Sequence, residues 1–174
     1  MDYRTVQSEL DQKQAIALSS TVFEKAMGEK FLLLFGKENW KHMFIAVSEG
    51  RVVSMVNYYT TSVKLPKSSI QMASIGSVCT HPDFRGQNIA SKLISMALDS
   101  MKEEGIDLVV ISGSGGIYSK AGASFAGNAF EYLIERDAFP NNNDYTIEEV
   151  PIDSVDRLYS LYQTESIRYE RSVS

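Results

Sequence analysis

The chain has 174 residues, of which 44% are hydrophobic, 22% charged and 10% aromatic, a composition that excludes a disordered polymer and a collagen-like fibre. A single domain of this length buries roughly 70% of its unfolded surface, whereas two domains would each be short of core. Lys and Arg number 17 against 22 Asp and Glu, a net charge of −5, without the basic balance of a nucleic-acid-binding domain. The one cysteine, Cys79, has no internal disulfide partner, which fits a reducing compartment. The N-terminus, MDYRTVQSELDQKQ, lacks the apolar stretch of a signal peptide, and no window approaches the ~18 apolar residues of a membrane span. A cytoplasmic protein is expected, with no nucleic-acid or membrane partner.

In chain order, Ser8 and Asp11 read as an N-cap followed by acidic first-turn chemistry. Ile16, Ser19, Ser20 and Phe23 then share one side of a helix. Gly28 interrupts that pattern, and the apolar run Phe31 to Phe35, ended by Gly36, predicts a second helix. From Met43 the period changes. MFIAVSEGRVVSMVNYYTT contains two β-branched and aromatic runs joined at Ser48-Glu49-Gly50-Arg51, a hairpin signal because Gly tolerates positive φ. A third run, Ile70 to Thr80, follows the turn Leu65-Pro66-Lys67-Ser68, which makes three consecutive antiparallel strands.

Ile89, Leu93, Ala97 and Met101, with Ala90, Ile94 and Leu98 beside them, define a strongly amphipathic helix. Lys102 in its last turn and Gly105 just beyond suit its C-terminal end. Asp107 to Ser112 reads as a continuous apolar strand of the kind buried on both faces. Residues 70–112 thus predict a strand–helix–strand unit with parallel strands and a right-handed crossover. Two further strands are expected over Phe125 to Glu135 and Tyr145 to Val150, separated by the polar loop 140–144.

The segment Val78-Cys79-Thr80-His81-Pro82-Asp83-Phe84-Arg85-Gly86-Gln87-Asn88-Ile89-Ala90 joins the third strand to the amphipathic helix. A helix N-terminus presents unpaired N–H groups and a partial positive charge that favour an anion. Gly86 lets the backbone approach closely, Asn88 tolerates left-handed geometry, and Arg85 adds a charge that can fork onto phosphate. The run resembles the acyl-CoA signature of the GNAT N-acetyltransferase superfamily, whose pyrophosphate loop is usually written Q/R-x-x-G-x-G/A. Arg85 fills its first position and Ala90 its last, while Asn88 replaces the central glycine. The expected element order, from about residue 3 to 150, is similar to the family's as well. The resemblance implies an α/β (α+β) fold: a mixed, mostly antiparallel sheet with a central parallel strand–helix–strand unit and helices on both faces.

The same resemblance implies acetyl-CoA as acyl donor, no metal, and direct transfer to an amine of a small molecule or peptide. The backbone around Val78, Cys79 and Thr80 would pair with the pantetheine arm, and Arg85, Gly86, Gln87, Asn88, Ile89, Ala90 and Ser91 would cradle the pyrophosphate. Cys79 is expected to be a packed residue rather than a nucleophile, and His81 and His42 are left outside the site. After the apolar strand, Tyr118-Ser119-Lys120-Ala121-Gly122-Ala123 is similar to the family's Tyr-x-x-x-Gly-Phe without its final aromatic, which implies Tyr118 as the general acid for the departing thiolate. A phenol near pKa 10 and a thiol near 8.5 are close enough to exchange a proton.

Many relatives carry a carboxylate on the strand before the loop, but Ile70 to Ser77 carries none. Water, another segment or no base at all would then serve, which leaves open a non-catalytic acetyl-CoA sensor or interaction module. A dinucleotide-binding reading of Gly113-x-Gly115 ranks lower, because Tyr118 stands where the third glycine of that motif belongs.

Pro151-Ile152-Asp153-Ser154 gives a proline stop and an N-cap, and Val155, Leu158, Tyr159 and Tyr162 recur at helical spacing. The expected division is an acetyl-CoA-binding domain over 1–150, then a C-terminal amphipathic helix or the start of a truncated second domain over 151–174. No turn or closing strand is expected after that helix, which would dock on the sheet or on another subunit of a homo-oligomer. In layout the chain is similar to the N-terminal part of two-domain acetyltransferases of the enhanced-intracellular-survival type.

Overall fold

The computed structural model describes residues 1–113, 115–126, 151 and 154–171. Strand β1 (Asp2–Thr5) is followed by helix α1 (Glu9–Phe23). Two single-turn helices, α2 (Met27–Lys30) and α3 (Leu32–Phe35), and a 3-10 turn over Lys37–His42 lead to β2 (Met43–Ser48). Strands β3 (Arg51–Lys64) and β4 (Ser69–Thr80) complete the meander. Helix α4 (Ile89–Glu103), strand β5 (Leu108–Ile111) and the short helix α5 (Gly116–Lys120) come next, then α6 (Val155–Tyr162) and β6 (Arg168–Tyr169). The sheet runs β1-β2-β3-β4-β5, with β6 against β3. Every pairing is antiparallel except β4 with β5. Among the described residues, no helix is long and apolar enough to cross a membrane.

Alternation along the strands divides the core between the two faces. Phe44, Ala46, Val53, Val56 and Tyr58 pack with Leu93, Ile94, Ala97 and Met101 of α4. Met43, Ile45, Val52 and Met55 pack on the other face with Ala15 and Leu18 of α1, and with Met27 and Phe35. The expected mixed sheet with helices on both faces is therefore present, as is the parallel strand–helix–strand unit. The hairpin at Ser48–Arg51 turns through Glu49 (φ 50°) and Gly50 (φ 76°), the pair of left-handed residues that matches strand twist. Helix α4 ends in a Schellman motif: Gly105 N–H donates to Lys102 O and Ile106 N–H to Met101 O.

Several expectations are corrected. The second N-terminal helix is replaced by α2, α3 and the 3-10 turn, and the break after α1 lies at Glu24 (φ 52°), not at Gly28. Gly28 sits inside α2, where a Cβ would come 2.9 Å from Ile16 Cγ2, so it permits close helix packing. Strand β5 is not buried on both faces, since Leu108 and Val110 are exposed. Among the described residues it has a strand neighbour on one side only, β4. After α6 the chain does turn and close: β6 pairs with Val63 and Lys64, and Glu170 N–H donates to Ser62 O at 2.8 Å. β3 outruns β2, which leaves a free edge there for the tail to use. Ser154 occupies the N-cap of α6 without a side-chain cap bond. Phe125 and Ala126 are irregular, and the remainder of the two expected late strands lies outside the described residues.

Ser8 caps α1 as expected, its Oγ accepting from Asp11 N–H at 3.1 Å. Asp11 in turn receives two bonds from the Arg4 guanidinium and one from Gln7 N–H, which ties β1 to the helix it precedes. The Arg4 hydrogen bond holds the Asp11 carboxyl below its ordinary value against the opposing effect of burial. A depressed carboxyl contributes stability that is present above its unfolded pKa and lost as pH falls through its folded one. Asp11→Asn is expected to cost about 2 kcal/mol at neutral pH. In urea titrations the gap to wild type should close as the pH falls below the ordinary Asp value of 3.8.

Candidate active site

Helix α4 begins at Asn88, whose left-handed conformation (φ 59°, ψ 15°) swings the chain from the preceding loop into the helix. Asn is among the few non-glycine residues that adopt this region readily, so the missing glycine leaves the turn intact. Gly86 is also left-handed (φ 75°). The first bond closing the helix is Lys92 N–H to Asn88 O at 3.1 Å, which leaves the N–H groups of Ile89, Ala90 and Ser91 without intrahelical partners. The loop is braced by His81 N–H on Val53 O (2.8 Å) and Phe84 N–H on His81 O (2.9 Å). Arg85 Nε donates to Thr80 O at 3.2 Å, so the guanidinium is tethered at one nitrogen while its side chain stays exposed.

These residues enclose a pocket of about 190 Å³ lined by Thr80, Arg85 through Ser91, Phe84 and Ile117. The sequence pattern therefore brings eight of its ten expected coenzyme-binding residues around one space. Val78 and Cys79 do not line it. Val78 packs against the α4-side core and the Cys79 side chain against the opposite core, so only their backbone can serve a ligand. Burial pushes the Cys79 thiol up to about 12 despite the charge of Arg85, a poor setting for a thiolate nucleophile.

The strand on which Val78 and Cys79 lie opens at this point. β4 and β5 pair from Met72↔Leu108 to Ile75↔Ile111; β4 then continues to Thr80 while β5 stops. On its other edge β4 stays bonded to β3 through Met55↔Cys79 and Ser54↔Thr80. Between Asn57↔Gly76 and Met55↔Cys79 the register slips, so Ser77 and Val78 together face Val56, a bulge in which Ser77 is left-handed (φ 52°). Among the described residues, no strand covers the β5-side edge of residues 76–80.

Tyr118 lies on α5, whose Ile117 shares the loop pocket with Thr80. Its ring lies against Gly113, where a Cβ would be only 3.1 Å from Tyr118 Cε2, so the glycine makes room for it. Tyr118 lines a larger cavity of about 610 Å³ together with Ile75, Ile94, Leu98, Val109 and Ile111. It does not line the loop pocket; its neighbour Ile117 does, so α5 borders both spaces. Burial raises the Tyr118 phenol above its ordinary value of 10, which keeps it protonated and able to donate at neutral pH. Phe84, Ile117 and the Ser77 bulge escaped the sequence reading. Gly76 within a strand was the available signal for the bulge, while single-turn elements leave no periodicity to reveal Phe84 or Ile117. His81 is exposed, and His42 is buried away from both cavities. Among the described residues, no cluster of three or more His, Cys, Asp or Glu side chains could hold a metal.

The profile of the acetyltransferase (GNAT) domain matches residues 2–126. No curated protein matches significantly in sequence. Among solved structures, the chain is similar to a transcriptional regulator from Bacillus halodurans C-125, at 19% identity and TM-score 0.60, covering 76% of this chain and 99% of that one. It is similar to a GNAT family N-acetyltransferase from Escherichia coli solved in complex with CoA, at 23% identity and TM-score 0.57, covering 70% and 67%. It is similar also to Eis1 from Mycobacterium abscessus, at 18% identity and TM-score 0.50, covering 61% of this chain and 27% of that one. These likenesses concern the fold.

The left-handed turn at Asn88 is open to a direct check. Asn88→Gly should leave the unfolding free energy nearly unchanged. Asn88→Val should lower it by about 1–2 kcal/mol, the cost of placing an ordinary side chain in that conformation, as read by urea denaturation.

Proposed function

This chain belongs to the GNAT acetyltransferase family of acyl-CoA-dependent enzymes, and from that premise we propose that it moves an acetyl group from acetyl-CoA directly to an amine of a small molecule or peptide. The observation that carries this reading is the edge of β4 at residues 76–80, which no strand among the described residues covers and which ends at the loop pocket lined by Thr80 and by Ile117 of α5. An extended pantetheine arm needs partners for its amides, and an unpaired strand edge supplies them. Arg85 and the backbone from Gly86 to Ser91 would hold the pyrophosphate by charge and by the helix N-terminus. Val78, Cys79 and Thr80 would contribute backbone groups.

The chemistry then needs one bond made and one broken. The amine nitrogen attacks the thioester carbon, the tetrahedral intermediate collapses with loss of the C–S bond, and the thiolate takes the phenolic proton of Tyr118. The amine attacks unprotonated, and the proton that its nitrogen sheds on becoming an amide passes to water or to a residue of another segment, since Ile70 to Ser77 carries no carboxylate, while the Tyr118 phenolate regains a proton from solvent. The division into an acetyl-CoA domain over 1–150 and an appended tail over 151–174 is part of the same reading. β6 joins that tail to the sheet of the domain, which favours an appended tail over the start of a second domain.

Calorimetric titration with acetyl-CoA should show Arg85→Ala binding about tenfold or more weaker, the loss expected for a charge-assisted contact; unchanged affinity would remove Arg85 from the site. NAD should give no thermal stabilisation. In a panel of polyamines, aminoglycosides and lysine peptides, at least one amine should release free CoA, whereas a sensor would bind acetyl-CoA and release none. Tyr118→Phe should lower kcat about a hundredfold, as for a lost general acid. Because burial raises the phenol, wild-type kcat should show no alkaline loss from this group below about pH 10.

A further inference from the structure

Ser54 and Thr80 stand opposite each other on β3 and β4. His81 N–H donates to Val53 O at 2.8 Å, so the neighbouring pair Ser54↔Thr80 is of the close, non-bonded kind. In such a pair the side chains approach while the backbone groups point away from the partner strand. The backbone of Thr80 is therefore turned to the edge of β4 that no described strand covers, where its carbonyl receives Arg85 Nε at 3.2 Å. The two side chains lie on the α4 side of the sheet, as do Val56 and Val78 two residues away. Ser54 is fully buried, and Thr80 lines the loop pocket.

Hydrogen-bond chemistry fixes the protons of this pair. Ser54 Oγ lies 3.0 Å from Cys79 O and 2.8 Å from Thr80 Oγ1. A carbonyl can only accept, and a serine hydroxyl carries one hydrogen, so that hydrogen goes to Cys79 O. The hydrogen in the shorter contact then belongs to Thr80. A threonine hydroxyl ordinarily serves as donor or acceptor. Here its hydrogen is spent on a buried partner, and only lone pairs remain for any other contact.

We propose that Ser54 sets Thr80 as an acceptor-only group, and that Thr80 Oγ1 reads a hydrogen-bond donor of the pantetheine arm, the hydroxyl or amide N–H nearest the pyrophosphate. The pyrophosphate offers oxygens alone, so this wall turns it away, towards Arg85 and the unpaired N–H groups of Ile89, Ala90 and Ser91. Thr80 ends β4 and lines the loop pocket, and so stands where a bound coenzyme changes from anionic to amide chemistry. Sorting donor from acceptor at that point fixes how far the arm runs along the strand edge. Ser54 is a positioning residue that acts through Thr80. The ligand rests on the function proposed above, to which the Thr80 side chain adds a contact; the proton assignment does not rest on it.

The test is calorimetric titration with acetyl-CoA and with adenosine diphosphate, which keeps the pyrophosphate and lacks the arm. Thr80→Val, nearly isosteric, should weaken acetyl-CoA about fivefold, the weight of one hydrogen bond, and leave adenosine diphosphate unchanged. Thr80→Ser keeps the hydroxyl and should restore acetyl-CoA binding. Ser54→Ala frees the Thr80 hydrogen to turn towards the pocket. It should weaken acetyl-CoA less than Thr80→Val does, and add nothing in the Thr80→Val background. In the free protein the Thr80 hydroxyl proton should exchange slowly enough to be seen by NMR, and should be lost in Ser54→Ala. Unchanged acetyl-CoA affinity in Thr80→Val, equal weakening of both probes, or additive effects of the two substitutions overturns the proposal. A wild type that shows the hydroxyl resonance and binds neither probe overturns the functional reading, and the ligand with it, while the proton assignment stands.

Discussion

Two residues of β4, Ser77 and Val78, stand opposite the single residue Val56 of β3, and much of the molecule is arranged around that surplus. A strand one residue too long for its partner must bend. β4 bends where its pairing with β5 has just ended at Ile75↔Ile111, so the backbone beyond is paired with β3 on one edge and, among the described residues, with no strand on the other. The loop that follows inherits its direction from that bend. The N-terminus of α4 and Ile117 of α5 meet Thr80, the last residue of β4, around the loop pocket.

The two faces of the sheet do different work around this opening. On the α4 face, Leu93, Ile94, Ala97 and Met101 anchor the helix over β2 and β3, which fixes the position of its N-terminus and so of the unpaired N–H groups there. On the α1 face, Cys79 is consumed by packing. A buried thiol at that position leaves the strand only backbone groups to offer there. Burial thus leaves Cys79 poorly placed to act as a nucleophile.

Long periodic elements were legible from sequence, because their signals sum over many residues. The four-residue spacing from Ile89 to Met101 located α4, and the β-branched runs located β2, β3 and β4. The loop motif was legible too, since Arg85, Gly86 and Asn88 each announce a backbone or charge requirement of their own. The region from Glu24 to His42 was not, because its single-turn elements are set by contacts such as Gly28 on Ile16 rather than by local pattern. DLVVIS read as doubly buried because an apolar run cannot report how many neighbours its strand will find. The Ser77 bulge and the Ser54–Thr80 hydroxyl pair depend on partners far apart in the chain, and no single stretch of sequence encodes them.

The tail strand β6 has a consequence for the unfolded and partly folded chain. β3 outruns β2, and from Tyr58 to Lys64 one side of it would offer a row of bare backbone groups. Asn39 Nδ2 occupies the Tyr58 carbonyl and β6 occupies Val63 and Lys64. An exposed edge of this length is a template for another chain to add a strand. The last segment of the described chain thus covers the end of β3, and until it arrives that edge of the hairpin arm stays open to pairing with another chain.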